Sequence, residues 1–392
     1  MKKMIRLITL GATLAVLALP IMAKSLPTGT ELQDQCSEEN KQAYYKAFLD
    51  NRKTDEPKAY DNAKKYLACP VAADVTDATK NIIAYLKKWS GSYEEGSRKA
   101  KFTTFLYTER KYPEAYALGR ELLAAEPENV KVWVDLGANG YLVQSLKNPQ
   151  LNTEALNAAR KALALLDSGK TVDDWTPLPG KDQAVAYLNY TIGVFTVETD
   201  PSAALKNLIK AAQFETPLKS SPQTYYLIGV AYETGPYAKQ SESYKQYTGK
   251  DETPESKLAL ANINQIVDRM IDGYARAVAL AGADAKLAEQ KKGWMASLTD
   301  WYKYLNKSEA GMDVMLAGVL AKPLPPEPTP LTSLPVAPAT TPIGTTGTAT
   351  NGTTPATSAP TGAQTTAPAG TATKTAGTKT PAGPNKPRNK YR

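Results

Sequence analysis

Two stretches decide the fold: Trp133-Val134-Asp135-Leu136-Gly137 and Tyr225-Tyr226-Leu227-Ile228-Gly229-Val230-Ala231-Tyr232. In each, a large aromatic is followed after two residues by an aliphatic side chain and then by glycine. The second stretch adds a tyrosine after two more positions. Upstream, Ala115, Gly119, Leu122 and Pro127 have the spacing of a second helix and its terminating proline. Ile192-Gly193 begins a similar signature.

These spacings resemble the tetratricopeptide repeat, a helical hairpin of about 34 residues that buries its apolar face by stacking on copies of itself. The resemblance implies an all-α, tetratricopeptide-like helical-hairpin solenoid that binds other proteins or extended peptides. Readable signatures cover about half of the body, and there are departures. Lys99 and Thr103 stand where Trp and Gly are expected, and Gly140 stands where Tyr is expected, with Tyr141 adjacent. Carried over position by position, the family's groove residues fall on Tyr107, Lys131, Tyr141, Tyr187, Tyr190, Gln223, Tyr226 and Glu233. The chain has 22 Tyr against 5 Phe. Tyrosine offers a flat contact and a hydroxyl at low entropic cost, which suits a peptide groove; it also fills repeat cores.

Working outward, the pattern predicts helices in pairs. Ser37 caps a first helix, with Glu38 and Glu39 in its first turn and Tyr44, Tyr45, Phe48 and Leu49 as its apolar stripe. Asp55 and Pro57 open the partner helix. Helices are predicted over 78–90 and 93–110, then from Tyr112-Pro113 to Pro127. Hairpins follow at 130–144 with 152–167 and at 182–197 with 201–213. A fourth begins at Pro222, and its second helix is delayed by Glu233–Pro254. Helices near 284–305 and 309–321 cap the array. Residues 323–392 are rich in Pro, Thr, Ala and Gly. Such a stretch cannot bury enough surface to offset its ordering entropy, and a disordered tail is expected.

Met1–Ala23 reads as a bacterial secretory signal. Lys2, Lys3 and Arg6 precede the apolar stretch Leu7–Met22, with Ile21 and Ala23 at the cleavage positions. The organisation expected is therefore a signal at 1–23, a helical body at 24–322 and a tail at 323–392. An exported chain, periplasmic or extracellular, meets oxidising conditions. Cys36 precedes one helical pattern and Cys69 closes the next, and an antiparallel hairpin brings such ends together. A Cys36–Cys69 disulfide is predicted.

The net charge of +8 is unevenly placed. Lys2, Lys3 and Arg6 lie in the signal. Lys374, Lys379, Lys386, Arg388, Lys390 and Arg392, against Glu327 alone, lie in the tail. The body between is close to neutral, so no nucleic-acid partner is expected. The basic tail end fits weak attachment to an anionic envelope surface. Histidine is absent, which removes Ser-His-Asp and Cys-His catalysis and His-containing zinc sites. Gly169-Lys170-Thr171 echoes a phosphate-binding loop but follows a helix and lacks its upstream glycine, so it reads as a helix-terminating turn. The acidic pairs Glu38–Glu39, Glu94–Glu95 and Asp173–Asp174 read as helix starts and solvated faces. No cofactor, metal or catalytic residue is assigned, and a non-enzymatic scaffold in the cell envelope is expected. Two alternatives stay open: a carboxylate-based cell-wall or glycan-active enzyme on a helical scaffold, and a structural spacer.

Overall fold

The computed structural model describes residues 35–334, so the signal expectation and residues 335–392 lie outside the described residues. Among the described residues every regular element is helical. The chain divides into two compact units, one up to Lys101 and one from Phe102 onward.

In the first unit, α1 (Glu38–Asn51) and α2 (Glu56–Leu67) form a hairpin. Their starts are fixed by side chains that satisfy orphan backbone donors: Ser37 accepts from the Asn40 amide and Asp55 from the Lys58 amide. Phe48, Ala59, Ala63 and Tyr66 are buried between them, together with Leu86 of α3 (Asp77–Thr103). Trp89 meets Phe48 edge-on at 5.0 Å between centroids. Cys36 and Cys69 are joined, as the hairpin geometry predicts, with 5.4 Å between their Cα atoms.

The expectation of two helices over 78–90 and 93–110 is corrected: α3 is continuous and ends in a π-helical turn, Thr104–Thr108. Gly91 and Gly96 have open space around them. Each costs only about 1 kcal/mol in an exposed helix interior, and no proline stands between them. The stripe of Ile82, Leu86, Trp89 and Tyr93 runs on at helical spacing across the Ser90–Ser92 stretch.

The second unit is a succession of helices, each packed on its neighbours in sequence: α4 (Tyr112–Ala125), α5 (Val130–Ala138), α6 (Pro149–Asp167), α7 (Lys181–Thr196), α8 (Pro201–Gln213) and α9 (Pro222–Tyr232). α9 then packs on α11 (Pro254–Ala281), and α11 on α12 (Ala288–Asn306). Proline at the first helical position opens α6, α8, α9 and α11, where its missing N–H costs nothing. Asn148 caps α6, so that helix starts at Pro149, ahead of the expected 152–167. Glu233–Pro254 is also more regular than expected. It holds a π-helical turn, Glu233–Tyr237, and a short α10, Ala238–Tyr244.

The core passes from helix to helix. Val132 and Leu136 of α5 face Phe102, Tyr116 and Leu122, whereas Val130, Val134 and Ala138 of the same helix face Ala162 of α6 and Leu188 of α7. Ala186, Tyr190 and Val194 of α7 then join the cluster built with α8, α9, α11 and α12. The signature glycines are the points of closest approach. A Cβ on Gly137 would sit 2.7 Å from the Cα of Ala159 in α6, and one on Gly193 would sit 2.5 Å from Leu208 Cγ in α8. At Gly229 the facing residue is Tyr274, and Gly273 beside it meets the Gly229 backbone. Gly169 ends α6 in the left-handed region, at φ +87°. The Lys170 amide reaches back to the Leu165 carbonyl and the Gly169 amide to that of Leu166. This is the paired bonding of a glycine helix terminator, as the sequence implied.

Near the end, α13 (Met312–Gly318) gives way to an extended segment, Lys322–Leu331, hydrogen-bonded along α11. The expected boundary between body and disordered tail at 322/323 is therefore corrected for residues 323–331. Composition undervalued them because the contacts that hold them are to their backbone, and composition does not report backbone pairing.

Two outcomes are expected. Gly137→Ala forces the α5–α6 contact apart and costs about 1–3 kcal/mol, read as a lowered melting temperature; an unchanged melt would contradict the close approach. Reducing Cys36–Cys69 costs about 3–4 kcal/mol in the chain-entropy model. It is read as lost protection of α1 and α2 in hydrogen exchange, and unchanged protection would contradict a structural bridge.

Candidate functional site

The eight predicted groove residues resolve into three clusters and one outlier. The first lies where the turn after α3 meets α5. The Tyr107 hydroxyl donates to Asp135 Oδ1 at 2.8 Å, and the Lys131 ammonium donates to both Asp135 oxygens at 2.6 Å. Asp135 is only 1 % exposed and sits one helical turn beyond Lys131 on an otherwise apolar helix. A lone carboxylate in such a place must be paired to be tolerated, and here the partners are two predicted groove residues. Sequence reasoning missed Asp135; its i,i+4 spacing from Lys131 was the available signal.

The second cluster is aromatic. Tyr141, in the 3₁₀ turn Gly140–Leu146 after α5, lies 5.5 Å from Tyr187 and 5.3 Å from Tyr190, both on α7. Its backbone amide donates to the hydroxyl of Thr191, which fixes the turn against α7. Tyr141 and Tyr187 remain half-buried, but Tyr190 is 6 % exposed and belongs to the core. The expectation that Tyr190 lines an open surface is corrected; α7 is buried on nearly all sides, so a one-residue register error turns a groove position inward. Burial pushes the Tyr141 hydroxyl up to about 12 and raises those of Tyr187 and Tyr190. All three are therefore neutral donors at physiological pH.

The third cluster joins α9, the turn after it, α11 and α12. Tyr226 stacks on Trp294 at 5.5 Å and approaches Tyr274 at 6.0 Å. Glu233 accepts from the Tyr274 hydroxyl at 2.6 Å and from the Trp301 indole at 3.4 Å. The sequence pointed to Tyr226 and Glu233 but not to Tyr274, Trp294 and Trp301 as their companions. These three stand at ordinary core spacing on later helices. Gln223 lies exposed on the first turn of α9 and takes no part in these clusters.

Chemically, the arrangement offers half-buried rings, neutral hydroxyl donors and one partly exposed ammonium, with its carboxylates held by donors of the protein. Such a set can bind apolar and carbonyl-bearing groups. Among the described residues no group of three or more Cys, Asp or Glu side chains is placed to hold a metal ion. No described helix is long and apolar enough to cross a membrane.

Burial holds the Asp135 carboxyl above its ordinary value of 3.8, against the opposing pull of Lys131 and Tyr107. The folded state thus binds this proton more tightly than the unfolded state. The resulting stabilisation is full below the ordinary value and is lost as pH rises through the folded one. Asp135→Asn, which keeps an acceptor for Tyr107, removes that dependence. The variant is expected to match or exceed the wild type in thermal stability at about pH 7 and to lose that standing at about pH 4. A wild-type advantage that grows from pH 4 to pH 7 would contradict the assignment.

No family model matches this chain, and neither does any curated protein or solved structure.

Proposed function

We propose that this chain is an exported, tetratricopeptide-like helical solenoid that acts as a scaffold or adaptor, holding extended segments of other proteins in the bacterial cell envelope. The observation that carries this reading is the alignment of the three clusters with the chain order. Along the chain, Lys131 of α5 and Tyr107 share Asp135, Tyr141 packs on Tyr187 of α7, and Tyr226 of α9 and Glu233 both meet Tyr274, so a tyrosine recurs at each stage of the succession. A peptide laid across successive pairs would meet a ring and a donor at each step.

Other features support it. The nearest-neighbour core is what a stacked-hairpin array needs. The glycine contacts fall on the signature positions. The near-neutral body argues for a protein ligand over a polyanion. The Cys36–Cys69 bridge fits an oxidising compartment. The signal-like sequence at Met1–Ala23 points the same way.

The test compares two tyrosines one helical turn apart, using an immobilised library of extended peptides and the purified chain. Tyr187→Ala is expected to weaken capture by about thirtyfold, as for an interface anchor worth about 2 kcal/mol. Its melting temperature should change little. Tyr190→Ala is expected to cost about 3–5 kcal/mol of stability, as for a buried ring. Equal capture by the wild type and Tyr187→Ala would defeat the proposal.

A further inference from the structure

The face of α11 carries Asn262, Arg269 and Arg276 at seven-residue intervals, and all three are bonded to the backbone of the extended segment Lys322–Leu331. Arg276, 4 % exposed, donates to the carbonyls of Lys322 and Pro323 at 2.9 and 2.8 Å. Arg269 Nε donates to the Pro326 carbonyl at 2.8 Å. The Asn262 amide donates to the Leu331 carbonyl at 3.2 Å and accepts from the Leu331 N–H at 2.7 Å. Asp272, one turn before Arg276, receives its Nε at 2.7 Å, and Tyr225 lies beneath the guanidinium at 5.8 Å. Arg276 is thereby held in place by groups other than the segment it binds.

The donors and acceptors match a proline-rich chain. Pro323, Pro325, Pro326, Pro328 and Pro330 have carbonyls but no N–H. Arginine, which only donates, faces that part. Asparagine, which donates and accepts, faces Leu331, whose N–H is free to bond. Leu324 packs toward the core, and from Pro325 onward Pro325, Pro328 and Leu331 are the half-buried positions, while Pro326, Glu327, Thr329 and Pro330 between them are exposed. One inward residue in three is the periodicity of a polyproline helix. Lengths agree as well. Asn262 to Arg276 spans about 21 Å of α-helix, and Pro323 to Leu331 spans about 25 Å in polyproline geometry.

We propose that this ladder on α11 is a binding site for extended proline-rich segments, with Lys322–Leu331 as its resident ligand in cis. The ladder reads backbone carbonyls and a three-residue stride, so it accepts another segment of the same kind when the resident one is away. A short connection from α13 gives the resident segment a local concentration of about millimolar, which keeps the site closed to weaker competitors.

The experiment uses the full chain and a labelled synthetic peptide of the Lys322–Leu331 sequence, read by fluorescence anisotropy. In one variant Pro323, Pro325, Pro326, Pro328 and Pro330 are all replaced by Gly, which removes the fixed extended geometry and ring contacts of the resident segment and so weakens its hold on the ladder while keeping chain length. This variant is expected to bind the peptide at least about tenfold more tightly than the wild type, whose own segment competes. Adding Asn262→Ala and Arg269→Ala, both away from the buried core, is expected to lower that affinity by about tenfold, the loss of two or three net hydrogen bonds. Circular dichroism confirms that each variant is folded. No peptide binding to the folded proline-replaced chain would overturn the proposal, leaving only a fixed brace. Binding that Asn262→Ala with Arg269→Ala does not weaken would overturn it too.

Discussion

The close approach of neighbouring helices at Gly137, Gly193 and Gly229 is the constraint on which the rest of the second unit depends. Where a side chain is missing, the backbone of α5 comes within contact of the Ala159 backbone, and α9 comes within contact of Gly273. Helices that meet this closely must interdigitate the residues on either side. Leu188, Leu208 and Tyr274 fill the space beside the glycines, and that packing fixes the rotation of each helix about its axis. The rotation in turn decides which residues remain at the surface. Tyr141, Tyr187 and Tyr226 stay half-buried because the opposite faces of their helices are committed to the core.

Burial of polar groups follows from the same geometry. Asp135 lies deep because α5 is wedged between two cores, one shared with α4 and one with α7. The cost of desolvating its carboxylate is offset only by Lys131 and Tyr107, which makes the trio one unit. Glu233 is treated in the same way by Tyr274 and Trp301. Arg276 is the cationic counterpart on α11, held by Asp272 and by carbonyls of the extended segment. In each case at least one hydrogen-bond partner of the charge comes from a different element, so these networks link parts of the helical stack beyond the apolar core.

Much of the helical organisation was legible in the sequence because its signals are local. Ser37 and Asp55 cap helices where the apolar stripes begin, and the ends of the first hairpin forecast the Cys36–Cys69 bridge. What was not legible depends on distant partners. Gly91 and Gly96 look like breaks, but nothing outside the helix requires one. Tyr190 reads as a groove residue until the burial of α7 is known. Tyr274, Trp294 and Trp301 gain their place beside Tyr226 and Glu233 only through the packing of α11 and α12. The segment at Lys322–Leu331 looks like unstructured tail because proline content is visible in sequence, whereas a ladder of side chains about sixty residues upstream is not.

The central claim is that the second unit is held together by contacts between successive helices, which keep the tyrosine-bearing faces in register. Native-state hydrogen exchange on the full chain tests this most directly. Nearest-neighbour coupling predicts protection that falls in steps from one helical pair to the next, with α5 and α6 opening together and α7 and α8 opening together. One uniform opening free energy across every helix from α4 to α12 would contradict it.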